Sequence, residues 1–454
     1  MEGSESRVCG VMNDKEDPLK ALKLSPMFNL SLGTKELFHS NFLAWLVETY
    51  RERTANLLTE MADTKSFSYK DIAANGLRER NHFDFSIWRK KNGTKSVPLV
   101  VVENKVKSIA YREQLDRYAL EVEKSYGKRE WGNCKNDVNL ILLTLAKEMP
   151  DVPLDKNTYT SSNGLEWHIV DYGTYSNLIR KYFLDKDAVT EEYDKAIITD
   201  YCKFISGLSQ LADEWMREVT LKADEKMKDL RIDDIRQKII YSHLLCELKD
   251  KMKKDWCALP ISSDDFKHLA YDNPKESSKW DNKNSVMAIL QEVKKDGTSD
   301  KPLVMINLDY GMSGALVQMK FTLNDLNNDL ICVIQVQNQG YSIGVEFFGE
   351  VLQCPSCPST YISEGLYPTH PIVFKNIKGE KVDYNKKRNG IPHRYAPSYF
   401  YEYCDFDEKA SIDDVVNQLI YDLNRYRTPS NTTTNIVPLK VYLDKWGADK
   451  KKKV

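Results

Sequence analysis

Leu99-Val100-Val101-Val102-Glu103-Asn104-Lys105 is the stretch on which the fold turns. Successive side chains of a strand point to opposite faces, so an unbroken aliphatic run needs apolar cover on both sides, as in a central strand of an α/β sheet. The run ends in an acid, an amide and a base. Glu103 and Lys105 are two residues apart and share a face.

Working outward, the segment before it alternates. Phe83, Phe85 and Ile87 fall on one side and His82, Asp84, Ser86 and Trp88 on the other, which predicts a half-buried strand from His82 to Trp88. Asn92-Gly93 lies between the two strands and is a hairpin signal, because both central positions of a type I′ turn need positive φ. With those two at the turn centre, Lys91 opposes Thr94 and Asp84 opposes Val101. Glu103 is then the diagonal neighbour of Asp84, at roughly 7–8 Å between Cα atoms. A bulge at Pro98 would move this register by one residue.

Further out, Thr34 can cap a helix with Glu36 in its first turn and Leu37, Phe38, Asn41, Phe42, Trp45 and Leu46 at spacings of three and four. On the other side, Tyr111, Gln114, Leu115, Tyr118, Ala119 and Val122 predict a second helix. Leu140 to Thr144 then reads as a buried strand, giving a parallel strand–helix–strand crossover. A strand at Trp167–Val170 and a helix near Tyr175–Phe183 follow. Residues 1–25 read as an irregular lead-in, 26–187 as the α/β domain, 188–256 as a helical connector, 257–446 as an α+β domain and 447–454 as a basic tail.

An Asp and a Glu converging beside a Lys have a specific chemical use. Hard carboxylate oxygens suit Mg2+, for which Mn2+ can substitute; the ion keeps several waters and shares itself with substrate phosphate. The bound cation acidifies water and polarises a phosphoryl oxygen. Lys105 would orient or help deprotonate the attacking water and place positive charge beside the phosphate.

The quoted residues, together with Gln114-Leu115-Asp116-Arg117-Tyr118 and a first helix reading Glu36-Leu37-Phe38-His39-Ser40-Asn41-Phe42-Leu43-Ala44-Trp45-Leu46, resemble the PD-(D/E)XK nuclease superfamily. The nearest resemblance is to an uncharacterised bacterial branch whose first helix reads E-x-x-H-S-x-x-L-x-x-L. It covers about residues 30–185. It implies a restriction-endonuclease-like αβββαβ core, with Asp84 and Glu103 as metal ligands, the Asn104 carbonyl as a third, Lys105 as the catalytic lysine and Glu36 as an assisting acid. Gln114 and Tyr118 match a supporting Q-x-x-x-Y signature, and can equally be packing residues. Phe83 stands where the family pattern has proline.

The 454-residue chain carries 65 basic and 67 acidic residues, a net charge of −2, which excludes a general basic coat as the means of holding nucleic acid. A local patch is required. Lys375–Arg394 supplies one candidate, with Lys386, Lys387, Arg388 and Arg394 near aromatics; a solvated loop is the alternative. Nine scattered cysteines suit reduced thiols, and the absence of an apolar signal core or a run of roughly 18 apolar residues predicts a cytoplasmic protein without a membrane span. No phosphate-binding G-x-x-x-x-G-K-[ST] loop occurs, so no nucleotide cofactor is expected. Cys354-Pro355-Ser356-Cys357 lacks a second pair for zinc. His39 and Ser40 are expected to make local structural hydrogen bonds.

The leading expectation is a metal-dependent deoxyribonuclease, in bacterial defence or DNA processing by resemblance alone. RNA as substrate and a homodimer stay open. The alternative is a nuclease-fold module that binds nucleic acid or protein with little cleavage.

Overall fold

The computed structural model describes residues 17–31, 35–64, 76–78, 80–91, 95–127, 137–185, 188–217, 224–259, 286–293, 303–311, 314–322, 330–337, 340–347, 393–396, 399–406 and 410–427. The chain divides into two compact units, the first comprising 1–106, 118–145 and 160–213, the second 107–117, 146–159 and 214–454.

The elements of the first part of the chain are α1 (Pro18–Leu24), α2 (Pro26–Ser31), α3 (Lys35–Thr49), α4 (Arg51–Met61), β1 (Gly76–Arg78), β2 (Phe85–Lys91), β3 (Lys95–Lys105), α5 (Arg112–Tyr126), β4 (Asn139–Thr144), β5 (Thr158–Thr160), β6 (Glu166–Asp171), α6 (Tyr172–Ile179) and α7 (Glu192–Trp215). The strands form one mixed sheet in the order β1-β2-β3-β4-β6-β5. Strands β1, β2 and β3 are antiparallel, while β3, β4 and β6 run parallel. The order α3, β1, β2, β3, α5, β4, with α4 added after α3, is the αβββαβ core that the resemblance implies.

Val100, Val101 and Val102 are fully buried, as are Leu140, Ile141 and Leu142 on β4, so these two strands form the doubly covered centre. Each such side chain contributes about 1.5–3 kcal/mol by leaving water. Helix α3 packs on the antiparallel end of the sheet, against β1, β2 and β3. Leu43, Leu46 and Val47 bury one side of it, while Phe42 stacks on Tyr201 of α7 with ring centroids 3.6 Å apart. At the end of β6, Asp171 caps α6 by accepting from the N–H groups of Gly173 and Thr174. A Cβ at Gly173 would meet Ser209 Oγ at 2.8 Å and Asp171 Oδ1 at 2.9 Å, so a larger residue there would have to displace one or both.

Three readings need correction. The lead-in is not irregular throughout, since Pro18 opens α1 behind an Asp17 cap that accepts from the Leu19 N–H at 3.0 Å. The strand predicted from His82 begins only at Phe85, because Asn81 and His82 have φ of 55° and 66° in a short helical turn. The hairpin register also differs. Lys91 pairs with Lys95, leaving three residues between the strands, and a bulge at Leu99 shifts the pairing again, so that Ile87 opposes Val100 and Phe85 opposes Val102. The Asn92-Gly93 turn and the Thr34 cap lie outside the described residues.

The rest of the chain contributes α8 (Glu225–Asp229), α9 (Asp233–Met252), β7 (Trp256–Leu259), β8 (Val286–Glu292), β9 (Leu303–Gly311), β10 (Gly314–Thr322), β11 (Leu330–Gln337), β12 (Gly340–Phe347), β13 (His393–Ala396), β14 (Tyr399–Asp405) and α10 (Ile412–Arg427). Its strands make a second sheet, antiparallel throughout, in the order β13-β14-β12-β11-β10-β9-β8-β7. Helices α9 and α10 pack on this sheet and on each other. The Tyr341 hydroxyl of β12 donates to buried Asp422 of α10 at 2.8 Å. The boundary between the units runs through the stretch read as a helical connector, with most of α7 in the first unit and α9 in the second. Among the described residues no helix is long and apolar enough to cross a membrane, and Cys202, Cys246, Cys257 and Cys332 are free thiols.

Candidate active site

The site lies where β2 and β3 begin to part. Continuing the Phe85–Val102 pairing by one step places Asp84 directly opposite Glu103, not diagonal to it. The shift from the expected register is two residues, one from the longer loop and one from the bulge. An even shift keeps side-chain parity, which is why the two acids still share a face.

Asp84 sits just outside the ladder, and its Oδ2 accepts from the main-chain N–H of Asn104 at 2.7 Å. Glu103 is 1% exposed, with its Oε1 2.8 Å from Lys105 Nζ. Burial raises the proton affinity of Glu103, to a pKa of about 8; Lys105 opposes the rise, and the charges of Asp84 and Glu36 add to it. Burial likewise raises Asp84, against the hydrogen bond from Asn104. For Lys105, burial works against the charged form, but the charge of Glu103, its hydrogen bond, Glu36 and Asp84 outweigh burial and lift the ammonium above its ordinary range. With these acids charged, Lys105 is held as a cation and a donor.

Glu36 of α3 is half-buried and close enough to act electrostatically on Asp84, Glu103 and Lys105. Among the described residues no group of three or more His, Cys, Asp or Glu side chains is gathered as a metal cage. Two converging carboxylates at a strand end nonetheless fit a hard cation that retains water and binds phosphate. Like charges placed opposite each other are held apart in energy until a divalent ion or a proton relieves them.

Tyr118 of α5 is buried and meets the ring of Phe83 edge-on, with centroids 5.6 Å apart, so it packs directly behind the residue that precedes Asp84. Gln114 lies half-buried in the first turn of α5. Arg394 falls on β13. Lys386, Lys387 and Arg388 lie outside the described residues, as does the Cys354–Cys357 pair.

His39 and Ser40 do more than make local bonds. His39 Nδ1 meets the Tyr201 hydroxyl of α7 at 2.8 Å, while burial lowers the imidazole pKa to about 3 and keeps it neutral. Ser40 Oγ accepts from Asn104 Nδ2 at 2.6 Å and donates to the Glu36 carbonyl at 3.2 Å. The signal for this contact was present in the sequence as a polar His-Ser pair within an apolar helix, since buried polar groups need partners. The identity of the partner was not.

Residues 27–203 match the family model of the PD-(D/E)XK nuclease superfamily. The match takes in α3, the sheet, the site and the first half of α7. No curated protein and no solved structure matches the chain.

Proposed function

We propose that this chain, which matches the PD-(D/E)XK nuclease superfamily model over residues 27–203, hydrolyses DNA phosphodiester bonds with Mg2+, or Mn2+ in its place. The observation that carries the reading is Asp84 tied to the Asn104 N–H at 2.7 Å, next to Glu103, with Lys105 2.8 Å from Glu103. Asp84 and Glu103 would hold the cation, with the Asn104 carbonyl as a third ligand and Glu36 assisting. When bound, the ion supplies an acidified water and a polarised phosphoryl oxygen.

The side chains provide the rest. Lys105, kept charged by its acidic neighbours, donates to the attacking water or a non-bridging oxygen and offsets the charge that develops in the transition state. The Asn104 N–H holds one oxygen of Asp84 and leaves the other for the cation. Tyr118 backs Phe83 and so fixes the approach of the Asp84 main chain. Gln114 belongs to the supporting role, and Lys386, Lys387, Arg388 and Arg394 to nucleic-acid binding. A cytoplasmic place and a role in bacterial defence or DNA processing belong to the same proposal and rest on the resemblance.

The test is incubation of the pure protein with linear, circular and single-stranded DNA, and with RNA, in Mg2+ or in EDTA. Metal-dependent cleavage of DNA is expected. Cleavage of RNA alone would replace the substrate, and no cleavage with any of them would leave a binding module.

A further inference from the structure

We propose that Ser40 and Asn104 form a positioning pair that sets the spacing of the metal-binding carboxylates. The inference rests on the reading of Asp84 and Glu103 as ligands.

Asn104 is the middle residue of Glu103-Asn104-Lys105, a position that the E-x-K pattern leaves free. Here it is 1% exposed and committed at two points. Its main-chain N–H holds Asp84 Oδ2 at 2.7 Å, and its side-chain amide is held by Ser40 Oγ at 2.6 Å. Ser40 is itself 1% exposed and tied to the carbonyl of Glu36, one turn earlier on α3. One residue of β3 thus links the segment before β2, which carries Asp84, to the helix that carries Glu36.

Strand pairing does not provide this link. The β2–β3 ladder ends at Phe85–Val102, so Asp84 has no ladder partner to fix its main chain. The Asn104 N–H takes over that task; β3–β4 pairing with Leu143 holds the Asn104 main chain on one side, and Ser40 holds its side chain against α3. Helix α3 lies against this end of the sheet, and its second anchor is the His39–Tyr201 hydrogen bond on α7. Polar partners that orient metal ligands typically account for about 10–100-fold in metal affinity or activity.

The experiment compares wild type with Ser40→Ala, Ser40→Thr and Asn104→Ala. Mg2+ and Mn2+ binding is followed by calorimetry, cleavage is measured as rate per folded molecule, and thermal melting is recorded. Ser40→Ala and Asn104→Ala are expected to weaken metal binding and slow cleavage by about 10–100-fold each. The double variant should be no worse than the poorer single one, and Ser40→Thr, which keeps the oxygen, should recover most of the loss. Folded single variants with wild-type metal affinity and rate would overturn the proposal, leaving the ligand assignment intact. Failure of both alanine variants to fold would assign the pair to stability and overturn it too. Absence of metal binding in wild type would instead remove the reading on which it rests.

Discussion

Asn104 donates its main-chain N–H to Asp84 Oδ2 at 2.7 Å, one residue beyond the end of the β2–β3 ladder at Phe85–Val102. The bond is made by the residue next to Glu103, so the two acids cannot move independently. Their separation is set by β3 and by whatever holds Asn104.

Tyr118 and Gln114 of the Q-x-x-x-Y signature should separate by experiment. Tyr118 is buried against Phe83, and Tyr118→Ala is expected to cost about 3 kcal/mol or more of stability and to lower activity through the displaced Asp84 segment. Gln114→Ala is expected to slow cleavage with little change in melting temperature. A large melting shift with a normal rate per folded molecule would make Gln114 a packing residue.

Glu103 gives the metal-free protein a pH dependence. Its pKa in the folded state is raised to about 8 by burial, so the native state binds a proton that the unfolded chain has already lost. The stability penalty is absent below the ordinary carboxyl range, grows as pH rises, and is complete above about pH 8. Melting temperature without metal should fall over that window, and Glu103→Gln should flatten the fall. Metal binding below pH 8 should release a proton, seen as a calorimetric heat that changes with buffer; no buffer dependence would contradict the assignment.

Much of the site could be read from the chain because its signals are local. The aliphatic run of β3, the alternation around Asp84 and the two-residue spacing of Glu103 and Lys105 each depend on a few neighbouring residues. The register was not readable, since neither the bulge at Leu99 nor the three-residue loop is encoded by periodicity. The contacts of His39 with Tyr201 and of Ser40 with Asn104 join residues far apart in sequence, and only the need for some partner was evident. In the second sheet, β9 to β12 announce themselves by alternation. The four-residue strands β7 and β13 are too short to do so.

Asp422 places a second titration in the other unit. It is fully buried, accepts from Tyr341 and Gln418, and is raised to about 6 by burial against those hydrogen bonds. Its penalty is therefore complete above about pH 6 and eases as pH falls toward the ordinary carboxyl value. Asp422→Asn should remove that component of the stability–pH curve. An unchanged curve between about pH 4 and 6 would show that Asp422 is not its source.

The basic segment near the C-terminal end predicts a salt effect. Charge removal at Lys386, Lys387 and Arg388 should weaken DNA binding and make its dependence on salt shallower, because fewer counterions are released. The same affinity across a salt series would assign the segment to solvent.

The central claim is tested most directly by titrating Mg2+ into wild type, Asp84→Asn, Glu103→Gln and Lys105→Ala by calorimetry beside a cleavage assay on DNA. Wild type should bind and cleave. The two carboxylate variants should lose both metal binding and hydrolysis while keeping the fold, and Lys105→Ala should bind metal yet lose several orders of magnitude in rate, because it acts on the water and the transition state. Equal cleavage by all four proteins, or a wild type that binds no divalent metal even with DNA present, would contradict it.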